Sequence, residues 1–289
     1  MHIKDILAAR KINLSFEFFP PKTPEGMEHL FHTMSQLQAL HPSFVSITYG
    51  AGGKGHQLTP LLLAKLKAQT SFELVAHLTM VNATPETLEK SLIEYQNLGI
   101  DNIMALRGDP GEFGRPQGHA IELVKLIRQK FSGMGIGVAG FPEGHPECPN
   151  RLQEIDYLKA KVDAGADFIG TQLFFDNHDF YDFRERCILA GIKVPILAGI
   201  MPLTSISSMQ RMASLALGMH FPAKLLRAVY RARTPAGVEE VGLHWAAEQV
   251  RDLIDNEVAG IHFYTLNHSS ATQRIWRGLG LNSSLDLQS

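Results

Sequence analysis

The sequence sets a carboxyl among aromatic residues at Phe16-Glu17-Phe18-Phe19. Burial disfavours the charged form of a carboxyl, so a glutamate in such a run is expected to have a raised pKa and to act as a general acid. The competing readings are a glutamate facing solvent or one paired with a base such as Arg107. Arg107-Gly108-Asp109-Pro110 puts a fixed cation, a backbone amide and a carboxylate in one turn. Such a turn can hold a phosphate, a polar ring edge or a ribityl chain, and the same string also makes an ordinary Asp-Pro turn. Glycines 50, 52, 53 and 55 permit close backbone approach to a ligand. His77 reads by itself as a hydrogen-bonded core histidine. Glu143 and His145 have metal-ligand chemistry, but no second His or Cys pair stands at ligand spacing, so no metal site is expected.

Two further patterns are discounted. Gly135-Ile136-Gly137-Val138-Ala139-Gly140 matches the G-x-G-x-x-G string of dinucleotide-binding folds. That fingerprint lies between a strand and a helix N-terminus. Here the glycines sit inside a strand-like run that continues into Phe141-Pro142-Glu143-Gly144, so they read as small residues in a strand. Lys224, Arg227, Arg231 and Arg233 read as the solvated face of a helix.

These groups need elements to hold them. The chain has 289 residues, 45% hydrophobic and 19% charged, enough apolar content for a large core. Twenty-seven Lys+Arg against 29 Asp+Glu give a formal charge of −2, which argues against a nucleic-acid-binding surface but not against a small anionic ligand. Two cysteines, Cys148 and Cys187, make neither a disulfide framework nor a thiolate cage. No secretory signal and no long apolar run is visible, so a cytoplasmic protein without a membrane span is expected.

Short β-rich runs at 14–19, 44–49, 73–79, 102–106, 136–141, 167–173, 195–200 and 261–266 alternate with helix-periodic stretches. Met27, Leu30, Phe31, Met34 and Leu37 mark one apolar helix face. Thr84 before Pro85, and Asn150, are expected N-caps; Gly99 and Gly165 are expected stops. The first seven runs begin about 30 residues apart, a comfortable length for a βα unit. Eight such units favour a closed (β/α)8 TIM barrel over an open doubly wound sheet, as one catalytic domain over 1–289 with extra helices before the eighth strand. In that architecture the site lies at the C-terminal strand ends. Glu17, Thr48-Tyr49, His77, Arg107-Gly108-Asp109, Phe141 to His145, Gln172 and Tyr264 to Asn267 then converge on one rim.

The strand-end segments SFEFFPPKT, FVSITYGAGG, AHLT, ALRGDP, FPEGHPE, LKAKVDAGADFIGTQLFFD, AGIMP and HFYTLN together resemble the bacterial methylenetetrahydrofolate reductases, in the family order and over nearly the whole chain. The resemblance implies a homo-oligomeric enzyme with FAD in the barrel mouth. It implies that NADH or NADPH reduces the flavin and leaves, and that 5,10-methylenetetrahydrofolate then takes its place and becomes 5-methyltetrahydrofolate, a supply of methyl groups for methionine synthesis. By motif, Glu17 is the general acid, Asp109 tunes flavin and binds pterin, and Gln172 contacts both substrates. Flavin contacts are implied at Thr48, Tyr49, Ala51, His77, Arg107, Gly108, Asp109, His119, Phe141, His145, Cys148, Glu154, Tyr157 and Lys161.

The chain departs from the family pattern at several positions. His268 stands where relatives carry an arginine for the folate tail, with Arg274 close in sequence. Met212 and Ser208 replace a substrate-stacking aromatic and a glutamine, and Phe141 and His119 replace tyrosines. Ser208, Met212 and His268 are therefore the implied substrate positions that differ. A flavin-free relative and a barrel subunit that takes its electrons from a partner protein are the alternative readings.

Overall fold

The computed structural model describes residues 1–49, 55–110, 114–216 and 218–288, without the side chains of 55–57 and 215. The elements run α1 (Ile3–Ala8), β1 (Asn13–Phe18), α2 (Pro24–Gln38), β2 (Phe44–Ile47), α3 (Gly55–Gln69), β3 (Leu74–Thr79), α4 (Pro85–Asn97), β4 (Asn102–Leu106) and α5 (Ala120–Lys130). They continue through β5 (Gly135–Gly140), α6 (Arg151–Asp163), β6 (Phe168–Thr171), α7 (Asn177–Leu189), β7 (Ile196–Ile200), α8 (Ile206–Leu215), α9 (Ala223–Arg231), α10 (Pro235–Asp255), β8 (Gly260–Tyr264) and α11 (Ser270–Gly278). The strands pair in parallel in chain order and β8 returns to β1, so the sheet is a closed (β/α)8 TIM barrel.

Strand alternation decides which groups reach the interior. In β1, Leu14, Phe16 and Phe18 point out into the helix layer and are at most 1% exposed. Ser15 and Glu17 point in, where Glu17 pairs in register with Ser46 of β2 and Tyr264 of β8. Phe16 meets Phe263, and Phe263 meets Trp276 of α11, at ring-centroid distances of 6.3 and 6.4 Å. The expected caps form: the Thr84 hydroxyl accepts from Thr87 N–H, and Asn150 Oδ1 accepts from Leu152 and Gln153 N–H. Gly99 and Gly165 adopt positive φ after their helices.

Several features differ from the sequence expectation, among them β8, which stops at Tyr264 instead of Leu266. β2 stops at Ile47 and β6 is only Phe168–Thr171, because the residues beyond them leave the ladder to form the rim. Helix α1 was not foreseen. Its Ile3, Ile6 and Leu7 plug the barrel floor against Phe44, Val75, Phe168 and Leu197, and Ile3 N–H donates to Asn102 Oδ1 at 2.7 Å. Six residues carry too little periodicity to announce such a helix. The insertion before β8 is as expected, with α9 and α10 following α8. It covers a second apolar cluster built on Leu173, Phe175, Met201, Leu203, Met212 and Leu225. Among the described residues no helix is long and apolar enough to cross a membrane.

The G-x-G-x-x-G string lies in β5, and the next helix begins only at Arg151. A Cβ on Gly137 would come within 2.3 Å of the Phe168 ring and 2.7 Å of Met104 Sδ. These glycines make room for core side chains, not for a phosphate. Gly137→Ala is therefore expected to lower stability by about 1–3 kcal/mol through overpacking. In urea titrations the midpoint should fall at an unchanged slope; an unchanged midpoint would mean the interior has space the packing denies.

Candidate active site

Glu17 is the centre of the barrel mouth. Its Oε2 lies 3.4 Å from His77 Nε2 of β3 and 3.7 Å from His262 Nε2 of β8. His262 Nδ1 is in turn 2.8 Å from Ser15 Oγ. Beneath them is a cavity of about 30 Å³ lined by Glu17, Ser46, His77, His262, Tyr264 and the plug-facing Phe44 and Phe168, among others. A space of that size holds one or two waters. Ser46 Oγ, on its wall, has no protein partner. The Tyr264 hydroxyl donates to Thr171 O at 2.6 Å, and burial keeps it un-ionised by raising its pKa.

The electrostatics reverse the sequence expectation for Glu17. Burial does push its carboxyl up, but the close approach of the His262 ring and the charges of His77 and His262 outweigh it and hold the group below the usual carboxylate range. The reason is alternation: Phe16 and Phe18 face away, so Glu17 sits among imidazoles rather than among rings of phenylalanine. Burial also pushes His77 below the usual imidazole range, against the pull of Glu17. Glu17 and His77 titrate as a coupled pair. The alternative pairing with Arg107 does not form: Arg107 bonds Glu147 on the β5–α6 loop.

A second arc of groups runs along the rim from β2 to α6. Thr48 and Tyr49 follow β2, and burial raises the Tyr49 hydroxyl. Gly108 has φ +75°, and a Cβ there would lie 2.6 Å from Val81 Cγ2, so this turn requires glycine on both counts. Arg107 and Asp109 both act electrostatically on His145, which burial and Arg107 push below the usual imidazole range. Phe141 meets His145 edge-on at 4.7 Å. His145 N–H donates to Glu154 Oε1 at 3.1 Å, while Glu154 Oε2 is buried with no partner and the carboxyl is pushed up by burial. Lys161 Nζ donates to Ala139 O at 2.9 Å and is driven down to about 8, chiefly by burial. Cys148 Sγ lies 3.3 Å from Asn150 O, and Tyr157 is 56% exposed on α6.

Other expected positions stand apart. Ala51 lies outside the described residues. His119 is exposed at the N-terminus of α5. Met212 is fully buried in the second apolar cluster, so it backs the wall instead of presenting a contact surface. The Ser208 hydroxyl is engaged in the capping box of α8, accepting from Ser205 N–H and donating to Ser205 O. Gln172 Oε1 accepts from Leu173 N–H at 2.8 Å. Arg274 is engaged by Glu239 and Glu240, and exposed His268 meets the His29 ring edge-on at 5.3 Å. Sequence reasoning missed His262 and Ser15. Their signal was the two-residue period back from Tyr264 and Glu17, which puts both on the interior face.

A family model for methylenetetrahydrofolate reductase matches residues 2–280. The chain belongs to the methylenetetrahydrofolate reductase family. It is 37% identical over 277 residues to the 5,10-methylenetetrahydrofolate reductase of Escherichia coli, covering 95% of this chain and 93% of that one. It is 37% identical over 297 residues to methylenetetrahydrofolate reductase (NADH) 1 of Arabidopsis thaliana, covering 96% of this chain and 50% of the plant protein. In fold it is similar, with a TM-score of 0.67 at 12% identity over 98% of both chains, to an uncharacterized Clostridium thermocellum protein that binds two copies of 5-methyl-5,6,7,8-tetrahydrofolic acid. Family membership gives the Glu17 cluster and the adjoining arc a common context.

Lys161 supplies a test of the arc. Its folded pKa near 8 lies below the ordinary 10.5, so the unfolded chain holds that proton more tightly. The folded state therefore carries a penalty below pH 8 that fades as pH rises from 8 to 10.5, at most about 3 kcal/mol. Lys161→Met is expected to be more stable than the parent by about 1–3 kcal/mol at pH 7, with the gap closing near pH 10. Urea titrations at both pH values measure this, and a gap independent of pH would show that the ammonium is solvated.

Proposed function

We propose that the protein reduces 5,10-methylenetetrahydrofolate to 5-methyltetrahydrofolate, with NADH or NADPH as donor and FAD held on the β2-to-α6 arc. The observation that carries this reading is Glu17, an inward carboxylate with two histidines behind it at the mouth of a family barrel. The arc suits a flavin dinucleotide in its chemistry. Arg107 has an exposed partner, Lys161 donates to a backbone carbonyl, Gly108 permits close approach, and Glu154 has a free acceptor oxygen. When bound, FAD accepts a hydride from the nucleotide and returns it to the methylene carbon of the folate.

The chain's own residues supply the rest. Arg107 and Lys161 would meet phosphate or polar ring edges, and Thr48, Tyr49, His77, Phe141, His145, Cys148 and Tyr157 would line the remainder. Asp109 places a negative charge near the redox centre, which disfavours extra negative charge there and promotes hydride donation. Glu17 gives its proton to the folate nitrogen that releases the methylene carbon, opening the five-membered ring to an iminium. The hydride then completes the methyl group, so one proton and one hydride balance the reduction. Nucleotide and folate take turns at one face, a ping-pong order.

Glu17 is ionised at rest, so the acid must be made on binding. A planar ligand over the mouth removes the water that still reaches a side chain 20% exposed, and this favours the neutral carboxyl. Folate binding is therefore expected to take up close to one proton per site near pH 7. Calorimetry in two buffers of different ionisation enthalpy measures it; Glu17→Gln should abolish the uptake. In anaerobic half-reactions Glu17→Gln is expected to keep flavin reduction by nucleotide and to lose folate reduction by about 10²-fold or more. Folate reduction at the parent rate would remove Glu17 from the acid role. Asp109→Asn is expected to raise the flavin potential. A purified protein without flavin absorbance would favour direct hydride transfer, and a flavin that neither nucleotide bleaches would favour a partner donor.

A further inference from the structure

His220 lies between α8 and α9, outside every residue used above, and it joins the loop after β5 to the first turn of α7. Its backbone N–H donates to Glu143 Oε1 at 2.8 Å, and its ring Nδ1 meets the same oxygen. Its other ring nitrogen, Nε2, lies 3.8 Å from Asp179 Oδ2. Glu143 belongs to the loop after β5, between Phe141 and His145. Asp179 is in the first turn of α7, after the loop that starts at Gln172. The loop holding His220 is pressed onto the first of these: a Cβ on Gly218 would lie 3.0 Å from Gly144 O. Met219 and Phe221 on either side of it pack into the apolar cluster that contains Leu173, Phe175 and Met212.

We propose that His220 is a proton-dependent brace that positions the β5–α6 loop of the active site relative to the first turn of α7. This rests on the functional reading only for its effect on catalysis. The argument is charge. Nδ1 contacts Glu143, while Nε2 at 3.8 Å from Asp179 is beyond hydrogen-bond reach, so the second carboxylate is met by the charge of an imidazolium and not by a neutral ring, whose second nitrogen would turn a lone pair toward it. Two carboxylates on opposite ring nitrogens are thus matched by the protonated ring.

The surroundings strengthen the match. Asp176, the N-cap of α7, adds negative charge near the ring while pairing with His178 at 3.0 Å. Asp182, on α7, is engaged by Arg186 and by Arg151 of α6, and Arg151 also acts on Asp179. Glu143 and Asp179 are both pushed up by burial, and each neighbouring carboxylate adds to this, so the pair gains from a cation between them. Glu143 is only 7% exposed, whereas His220 is 56% exposed and can exchange its proton with solvent.

The test compares the parent with His220→Arg, a fixed cation, and His220→Gln, a neutral side chain. The folate-independent reading is amide exchange over residues 206–222 at pH 6.5 and 8.5, corrected for intrinsic rates. Protection in the parent is expected to fall several-fold with rising pH, to stay high in His220→Arg and to stay low in His220→Gln. In steady state the KM for the folate, taken relative to His220→Arg at each pH, should rise several-fold over the same range with kcat little changed. Superimposable exchange profiles in all three proteins would overturn the brace, as would a stoichiometric divalent ion in the parent that His220→Gln loses. If exchange behaves as expected and no folate is turned over at any pH, the functional reading fails and the brace stands.

Discussion

A carboxylate inside a closed barrel must be compensated, and Glu17 is compensated by His77 and His262. Much of the mouth follows from that constraint. The histidines have to lie within reach of β1, which parallel closure supplies by placing β8 directly beside it and β3 on the far side of β2. Ser15 has to occupy the next inward position on β1 to meet the far nitrogen of His262. The layer below has to be sealed, and α1 seals it with Ile3, Ile6 and Leu7. A polar layer over an apolar plug confines the ionisable groups to the end of the barrel where the strand-end loops gather.

The fold was legible because closure depends on repeats that the sequence carries. Eight β-rich runs, their helices, the Thr84 and Asn150 caps and the extra helices before β8 all follow from local periodicity and turn chemistry. The places where the reading fell short are those where local signal is weak. α1 is too short to be periodic and is stabilised by what it plugs. The last residues of the expected β2 and β6 have strand-like composition, but past Ile47 and Thr171 the chain leaves the ladder to make loops.

The site was legible by position and less so by electrostatics. Strand-end placement brought Glu17, His77, Arg107, Gly108, Asp109 and His145 to one rim. The sign of the Glu17 shift could not be read from its sequence neighbours, because Phe16 and Phe18 belong to the opposite face of the strand. The two histidines beside it stand far along the chain, on β3 and β8, and only register supplies them. Met212 and Ser208 show the same limit in another form. Matching a motif position assigned them to the substrate, whereas packing turns one into core and capping engages the other.

The near-neutral composition also takes on a more specific meaning. Among the described residues the rim is not a field of free cations: Arg107 is held by Glu147, Arg274 by Glu239 and Glu240, and Lys161 has its charge weakened by burial. These restraints differ in strength. Glu147 is 57% exposed, so its pairing with Arg107 contributes little to stability and an incoming anion can replace it at small cost. Arg274 faces two carboxylates, and an anion would have to displace both. The ligand charge that the rim can accept is therefore directed to the β4–β5 side, where Arg107 stands beside Gly108 and the turn has no room for a side chain. At the β8 side the paired rings of His29 and His268 are exposed and offer hydrogen bonds instead of a permanent charge.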